Sequence, residues 1–442
     1  MATPKFTKPD DRDRRGAPAL AVATGIAVAT AVAGSGCSRR EAAGSGRPSA
    51  QPSALPKSAA ARPSQTSSAH TPTPEPRPPP PESVVTEERR SDAGLAGIEL
   101  TDLSDVGPAG PASAAPDGVV MVTRDDRLTL ARSASKGLNR GKLDAVPDAP
   151  EAFQPLGRPP AIAAGHAYWV SAGRVVRRSL GGGGLEVVAE GARDRTRVAA
   201  EIVSGTTAIA FIGRPDGEGT SRAQLVLGTR KPIDVTPDGA GASSVALAAV
   251  RGGLMVVSID GRSAMTPLHA RLAKPSGELG PDVVAWVAGP AHAFTEVFAS
   301  SDGERAWAHL PIERDATHFG MATVALGAEP ALDSEVSFLE YLNGLDRASV
   351  ATETLCGRPY AVLARPSAAR PRSPQELVLL GVGADGRGAG ADAGRAAGGA
   401  ADTAIVANAA RFLGVSLAAV PGGGLIAYVA DGRTWARGLR CR

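Results

Sequence analysis

Short apolar runs separated by Gly, Pro and Asp turns fill the chain from about Gly97 to its C-terminal end. Two segments repeat one phrase, ALAAVRGGLMVVSIDGR at Ala246–Arg262 and SLAAVPGGGLIAYVADGR at Ser416–Arg433. Each copy reads as an apolar strand, a turn of small residues and a second apolar strand, and short apolar runs bounded by turn residues are typical of buried β-strands. The pattern predicts an all-β domain assembled from copies of one unit.

Weaker forms of the phrase bring the number of units to seven. They lie at Pro116–Arg132, Pro160–Arg178, Glu201–Glu218, Val283–Arg305 and Thr352–Arg365. The units are mostly about 40 to 48 residues apart, which is close to the period of four-stranded propeller blades. We therefore predict a seven-bladed β-propeller in which each copy supplies the inner strands of one blade. The ring needs closure, and we expect Gly97–Leu103 to pair with the last blade.

Turn chemistry agrees with this prediction, because Asp-Gly tolerates the positive φ angles of tight hairpins. Such pairs occur at 260–261, 302–303 and 431–432. The pairs at 125–126, 172–173 and 216–217 stand at the corresponding turn positions and suit them less well. Two longer intervals indicate insertions. Asp333–Leu345 has an N-capping residue, apolar residues at helical spacing and a final Asn-Gly, which predicts a short amphipathic helix. Gly381–Asp402 is rich in Gly and Ala, and we expect a solvated loop without a calcium site.

The first part of the chain has a different character, and three domains are predicted: 1–36, 37–96 and 97–442. Basic residues precede an uncharged run at Ala17–Ala33, which is typical of a secretory signal peptide. The run is short, rich in Ala and interrupted by Pro18 and Gly25, so it would span a bilayer poorly. From Ser38 to about Ser91, Pro, Ser and Ala dominate, and a segment that cannot bury apolar area is expected to be a disordered, extended tether.

Cys37 stands directly after the uncharged run, in GSGCSRR. This resembles the lipobox of bacterial lipoproteins, in which the cysteine is diacylated and becomes the new N-terminus. Ser35 and Gly36 suit the two positions before the cysteine, whereas Gly34 stands where the family usually has an aliphatic residue. The resemblance implies a lipid on Cys37 and, because Ser38 is not Asp, an outer membrane where the cell has one. The alternative is secretion as a soluble protein cut after Ala33, since Ala31-Val32-Ala33 forms an A-x-A site.

The two other cysteines, Cys356 and Cys441, fall in the sixth and seventh units. An exported protein folds in an oxidising compartment, and these units are neighbours in the predicted ring. We therefore predict a disulfide between Cys356 and Cys441, with two buried free thiols as the alternative.

Composition and motifs narrow the classes of function. The formal net charge is +3, and Lys and Arg do not cluster as phosphate-backbone binding requires, so nucleic acid is not expected as a partner. The chain has no G-x-S-x-G, H-E-x-x-H, P-loop or C-x-x-C motif, and no catalytic residue or cofactor is predicted. His309, Glu313, Asp315 and His318 form the one polar cluster of metal-binding type, but their spacing fits no zinc pattern, and no metal is expected.

One further resemblance concerns turns. SSDGERAW, with Ser300, Asp302 and Trp307, resembles the Asp-box of sialidase-like propellers, and ADGRTW at Ala430–Trp435 keeps part of that pattern. In that family the Asp-box is a structural turn, so the resemblance implies fold rather than catalysis, and the family's arginine triad and tyrosine nucleophile have no counterparts here.

The expected function follows from architecture. The predicted protein resembles envelope propellers of the Tol system and of outer-membrane assembly, which are interaction platforms. We expect an exported, membrane-anchored binding or scaffold module whose partner is an envelope protein or a glycan. The alternative is an enzyme of the glycosidase or sialidase type that uses the axial mouth as its cleft; only 4% of the residues are aromatic, which disfavours a site that stacks on sugar rings.

Overall fold

A computed structural model of the chain describes residues 97–122, 127–133, 143–144, 158–214, 220–260, 266–287, 296–313, 318–327, 336–342, 350–366, 375–381 and 403–442. These residues form 28 β-strands. The predicted signal peptide, Cys37 and the whole of the predicted tether therefore lie outside the described residues. Among the described residues there is no helix that is long and apolar enough to span a membrane.

The strands form seven sheets of four. Six sheets each take four consecutive strands, which we call blades 1 to 6. The first strand of the chain, β1(Ile98–Pro108), belongs to another sheet, and blade 1 contains β2(Ala112–Ala115), β3(Gly118–Val122), β4(Leu128–Ser133) and β5(Leu143–Asp144). Blade 2 contains β6(Ala161–Ala163), β7(His166–Ser171), β8(Arg174–Ser179) and β9(Glu186–Glu190). Blade 3 contains β10(Ala199–Val203), β11(Thr206–Gly213), β12(Arg222–Leu227) and β13(Ile233–Asp234).

The next three blades follow the same order. Blade 4 contains β14(Ser244–Val250), β15(Gly253–Ile259), β16(Pro267–Ala273) and β17(Val283–Val287). Blade 5 contains β18(Phe298–Ser301), β19(Ala306–Glu313), β20(His318–Leu326) and β21(Val336–Leu342). Blade 6 contains β22(Val350–Leu355), β23(Arg358–Pro366), β24(Gln375–Gly381) and β25(Thr403–Ala409).

Blade 7 closes the ring by combining both ends of the domain. Its three C-terminal strands are β26(Phe412–Val420), β27(Gly423–Ala430) and β28(Arg433–Cys441), and its outer strand is β1(Ile98–Pro108). β1 runs antiparallel to β28, with Ile98 opposite Cys441 and Pro108 opposite Arg433. The prediction that Gly97–Leu103 pairs with the last blade is confirmed, and the pairing extends five residues beyond Leu103 to Pro108.

The blades form a ring, because the first strand of each blade contacts the first strand of the next, from β2 through β26 and back to β2. Seven hydrophobic clusters fill the spaces between neighbouring blades, one to each pair. Alternate residues of one strand serve two clusters: Leu254 and Val256 pack towards blade 3, whereas Met255 and Val257 pack towards blade 5. This explains why the inner strands are continuous apolar runs, since both of their faces are buried. The predicted seven-bladed propeller is confirmed.

The paired glycines explain why the same sequence motif recurs in blades 4 and 7. Gly422 has a φ of +80° in the turn between β26 and β27, a conformation that L side chains rarely adopt. Gly423 begins β27, and a Cβ atom there would lie 1.8 Å from the carbonyl oxygen of Leu439 on β28. Gly252 and Gly253 repeat both properties in blade 4, with the carbonyl oxygen of Ala273 at 2.5 Å. The Gly-Gly pair therefore allows the tight turn and the close approach of the third strand.

Two sequence predictions need correction. The unit at Val283–Arg305 spans two blades, because Val283–Val287 is the outer strand of blade 4 and Phe298–Ser301 is the inner strand of blade 5. Both strands have the same local pattern, an apolar run followed by small residues. They differ in the strands with which they pair, which the local sequence does not show. In consequence Asp302-Gly303 joins the first and second strands of its blade, whereas Asp431-Gly432 joins the second and third.

The helix predicted at Asp333–Leu345 is also wrong, because Val336–Leu342 is a strand. It pairs antiparallel with β20 over its full length, from Val336 opposite Val324 to Leu342 opposite His318. Val, Phe and Tyr in this segment favour strands, and the blade needs a fourth strand to complete its sheet. The backbone pairing therefore overrides the helical spacing of the apolar residues. The loop predicted at Gly381–Asp402 lies outside the described residues beyond Gly381, which ends β24.

Candidate binding channel

The first strands of the seven blades surround a central channel with a volume of about 600 Å³. Each of these strands pairs with only one other strand of its sheet, so its other edge faces the channel. Some backbone groups on these edges bond to side chains: the N–H group of Ala114 donates to the Ser416 hydroxyl at 3.0 Å, and the Thr352 hydroxyl donates to the carbonyl oxygen of Ala299. Much of the wall consists of small or aliphatic residues, including Ala199, Ala246, Leu247 and Ala418. The channel is thus a narrow space with polar strand edges and a few charged side chains.

Arginines and a glutamate occupy the end of the channel where the inner strands begin. Arg158 lies three residues before β6 and forms a salt bridge with Glu296, which lies two residues before β18. Arg197 lies two residues before β10, and its guanidinium carbon is 4.5 Å from the centroid of the Phe298 ring. Such a contact of a cation with an aromatic face is favourable and fixes the plane of the guanidinium.

Burial lowers the pKa of Arg197, the carboxylate of Glu296 opposes this effect and the positive charge of Arg158 adds to it. The pKa of an arginine starts so high that the group remains charged. Of the residues that the structure describes, none accepts a hydrogen bond from this guanidinium, although the carboxylate of Glu296, which pairs with Arg158, is close enough to favour its charge. Arg197 therefore supplies a positive charge with donors free for an anionic group.

Two carboxylates lie further along the channel. Glu201 is the third residue of β10, and Glu353 is the fourth residue of β22. Each accepts one hydrogen bond of 2.9 Å from the backbone N–H of the following residue, Ile202 or Thr354. Within the described part of the chain, neither carboxylate takes part in a salt bridge.

Burial raises the pKa of Glu201. Burial also raises the pKa of Glu353 to about 7; the hydrogen bond from Thr354 lowers it, and the negative charge of Glu201 makes a smaller contribution to the rise. The two half-buried carboxylates are thus close enough to repel each other. A cation placed between them would relieve both effects.

Of the two histidines in the predicted polar cluster, His309 contributes to packing between blades. His309 is fully buried between blades 5 and 6, with its Nε2 atom 2.8 Å from the Ser300 hydroxyl and its Nδ1 atom 3.1 Å from the Thr323 hydroxyl. Burial lowers the pKa of His309 to about 3, so the ring is neutral. Asp315 lies outside the described residues, and no group of three or more His, Cys, Asp or Glu side chains that could hold a metal occurs in the ranges described.

The turn that resembles an Asp-box is closed by its aspartate. The Oδ1 atom of Asp302 accepts hydrogen bonds from the backbone N–H groups of Glu304 and Arg305, at 2.9 and 2.7 Å. The N–H group of Gly303 donates to the Ser301 hydroxyl at 2.8 Å. This network stabilises the turn between β18 and β19, a structural role.

The two C-terminal cysteines are joined, as predicted. The Cys356–Cys441 disulfide connects Cα atoms 5.7 Å apart and 85 residues apart in sequence. Cys356 lies in the turn between β22 and β23, and Cys441 ends β28 opposite Ile98 of β1. The bond therefore ties blade 6 to the blade that closes the ring. Cys37, the third cysteine, lies outside the described residues.

Sequence reasoning missed the charged residues of the channel. In the sequence these residues share one feature. Each is a charged residue that lies within an inner strand of small and apolar residues, or two to three residues before such a strand. They are Arg158, Arg197, Glu201, Glu296 and Glu353. The pattern becomes visible only when the inner strands are aligned by blade, because the five residues come from four different blades.

Comparisons with known proteins find no matching family model and no matching curated protein. Among solved structures, the subtype N10 neuraminidase-like protein of A/little yellow-shouldered bat/Guatemala/060/2010 is similar, with 10% identity, a TM-score of 0.41 and coverage of 62% of this chain and 89% of that one. The endo-arabinase of Bacteroides thetaiotaomicron has 10% identity, a TM-score of 0.33 and coverage of 48% and 87%. The subtype N11 neuraminidase-like protein of A/flat-faced bat/Peru/033/2010 has 10% identity, a TM-score of 0.39 and coverage of 76% and 97%. The assignment of a propeller therefore relies on the sheet topology of this chain.

Proposed function

We propose that this protein is an exported, lipid-anchored propeller of the cell envelope that acts as a binding module through its central channel. The observation that carries the proposal is the set of channel charges that are only partly compensated. Arg197 at one end interacts with Glu296 and donates no hydrogen bond to a described residue, and Glu201 and Glu353 further in each accept one backbone hydrogen bond and form no salt bridge within the described part of the chain. Burying charges without partners costs free energy. A ligand that brings the opposite charges would recover that cost, which is what a binding site requires.

A binding role agrees with the walls of the channel better than cleavage of a sugar does. The one aromatic side chain among the described residues of the wall is Phe298, which is 3% exposed and lies under Arg197. A sugar ring would find no free aromatic face there. The hydroxyl of Ser300, which bonds to a histidine, is 4% exposed and belongs to the interface between blades.

The lipid anchor is supported by the count of cysteines. The chain has three, and two of them form the disulfide in the propeller, which leaves Cys37. Its position after an uncharged run is that of a lipoprotein cysteine. Two or more acyl chains hold a protein firmly on a bilayer, whereas one chain binds weakly.

The anchor is tested by expressing the full chain in a bacterium with two membranes and comparing it with Cys37→Ala and with Ser45→Ala, a matched control in the predicted tether. The parent and Ser45→Ala should fractionate with the outer membrane and release an acylated N-terminal peptide that begins at Cys37. Cys37→Ala should become soluble or stay unprocessed. A mature N-terminus at Gly34 would instead establish a soluble secreted protein.

A further inference from the structure

The inner strands place opposite charges along one axis. The seven first strands start their blades in equivalent positions, and a parallel bridge between Val250 and Gly303 shows that β14 and β18 run in the same direction and end together. Residues before the strands therefore lie at one end of the channel, and later residues lie towards the other. Arg197 belongs to the first group, whereas Glu201 and Glu353 belong to the second.

The distance between these charges selects the size of a ligand. Arg197 lies two residues before β10 and Glu201 is its third residue, and four residues at the rise of a strand correspond to about 13 Å. A fully extended peptide advances at most about 3.5 Å per residue, so the ends of a tetrapeptide are separated by a similar distance. The channel volume of about 600 Å³ lies within the range of roughly 300 to 1,000 Å³ that is usual for ligand pockets.

The strand edges select the chemical class. Peptides bind to exposed strand edges by backbone hydrogen bonds. Here the edges of seven first strands surround one channel, although side chains occupy some of their backbone groups, such as the N–H groups of Ala114, Ile202 and Thr354. A short peptide with free ends also carries an ammonium group at one end and a carboxylate at the other. Ammonium and guanidinium groups form their strongest hydrogen bonds with carboxylates.

From these three features we infer that the channel binds a short peptide with free termini. Its carboxylate lies on Arg197, and its ammonium group lies between Glu201 and Glu353. The inference rests on the proposed binding function, and it adds the ligand class and the orientation. Phe298 packs against the Arg197 guanidinium. Arg158 forms an ion pair with Glu296, so two arginines face one carboxylate at that end and Arg197 keeps donors for an anionic group.

The test is a calorimetric titration of the purified full chain with tetra-alanine, with N-acetyl tetra-alanine and with tetra-alanine amide. Each capped peptide lacks one terminal charge and keeps the backbone. We expect tetra-alanine to bind and each capped peptide to bind at least tenfold more weakly. Equal affinities for the three peptides, or no binding of tetra-alanine at millimolar concentration, would overturn the inference.

Substitutions in the channel test which end of the channel binds each terminus of the peptide. Glu353→Gln and Glu201→Gln should weaken tetra-alanine at least tenfold and should leave the affinity of the acetylated peptide unchanged. Arg197→Gln should weaken tetra-alanine similarly and leave the affinity of the amide unchanged. Such double-mutant cycles separate a direct contact from a general disturbance. The opposite pairing of variants and caps would contradict the proposed orientation.

Matched controls keep the test decisive. Glu190→Gln and Arg174→Gln remove exposed charges of blade 2 outside the channel and should bind as the parent does. Arg197→Lys preserves the charge and should retain part of the affinity for tetra-alanine. It replaces Arg197→Gln in the test if that variant does not fold. Failure of peptide binding would not affect the membrane fractionation of Cys37→Ala, so the anchor and the ligand are tested separately.

Discussion

Replacement of Glu353 by Gln should stabilise the protein at neutral pH and have little effect in acid. The change keeps the size and shape of the side chain and removes its charge. Burial and the neighbouring Glu201 raise the pKa of Glu353 from 4.5 to about 7. The folded protein thus holds a proton that the unfolded chain releases, and the parent loses stability as the pH rises from about 4.5 to 7.

The magnitude follows from the interval between these values. One pKa unit corresponds to about 1.4 kcal/mol, so an interval of roughly 2.5 units gives an upper value of about 3 kcal/mol. The carboxyl group keeps partial contact with water, which reduces the effect, and we expect a gain of about 2 kcal/mol for Glu353→Gln at pH 8. At pH 4 the parent side chain is protonated, and the gain should disappear.

The assay is urea unfolding of the parent and of Glu353→Gln at pH 4, 6 and 8, without peptide. Glu190→Gln provides the control, since Glu190 is exposed on β9. Comparison of each variant with the parent at the same pH cancels the titration of other groups. Equal stability of Glu353→Gln and the parent at pH 8, or a gain that is the same at every pH, would refute the proposed burial of this charge.

Three further predictions concern the ring and its core. Burial lowers the pKa of His309 to about 3, so between pH 6.5 and 3 the unfolded chain binds a proton that the folded protein does not, and the parent loses stability as the pH falls. His309→Gln should remove this loss. Acid unfolding curves with the same pH dependence for parent and variant would contradict the prediction. Cys356→Ala with Cys441→Ala should lower the free energy of unfolding by up to about 4 to 5 kcal/mol on the chain-entropy model, and equal urea midpoints with and without the bond would refute a clamping role. Gly423→Ala should lower the melting temperature far more than Ala419→Gly in β26, because the new Cβ atom meets the carbonyl oxygen of Leu439 at 1.8 Å; similar melting temperatures would show that β28 moves freely.

The sequence carried enough information for the ring but not for the identity of every strand. The paired glycines at 252–253 and 422–423 mark one hairpin in two blades, and both hairpins occur as expected. Cys356 and Cys441 could be paired because their units are neighbours in a closed ring. Val283–Val287 and Val336–Leu342 could not be assigned, since an outer strand is defined by the partner that it pairs with.

The channel lay beyond sequence reasoning for a related reason. Glu201 and Glu353 are 152 positions apart in the numbering, and each looks like an ordinary charge at the end of an apolar run. Their meeting depends on the ring that brings β10 and β22 to the same axis. Only then do burial and mutual repulsion give the two carboxylates a joint role.

The most direct test of the channel as a peptide-binding site is a crystal structure of the protein grown with tetra-alanine. We predict an extended peptide along the axis, with its carboxylate at the Arg197 guanidinium and its ammonium group between Glu201 and Glu353. A channel that contains only water at saturating peptide, or a peptide bound on the outer strands of the blades, would contradict the assignment of the channel as a peptide site.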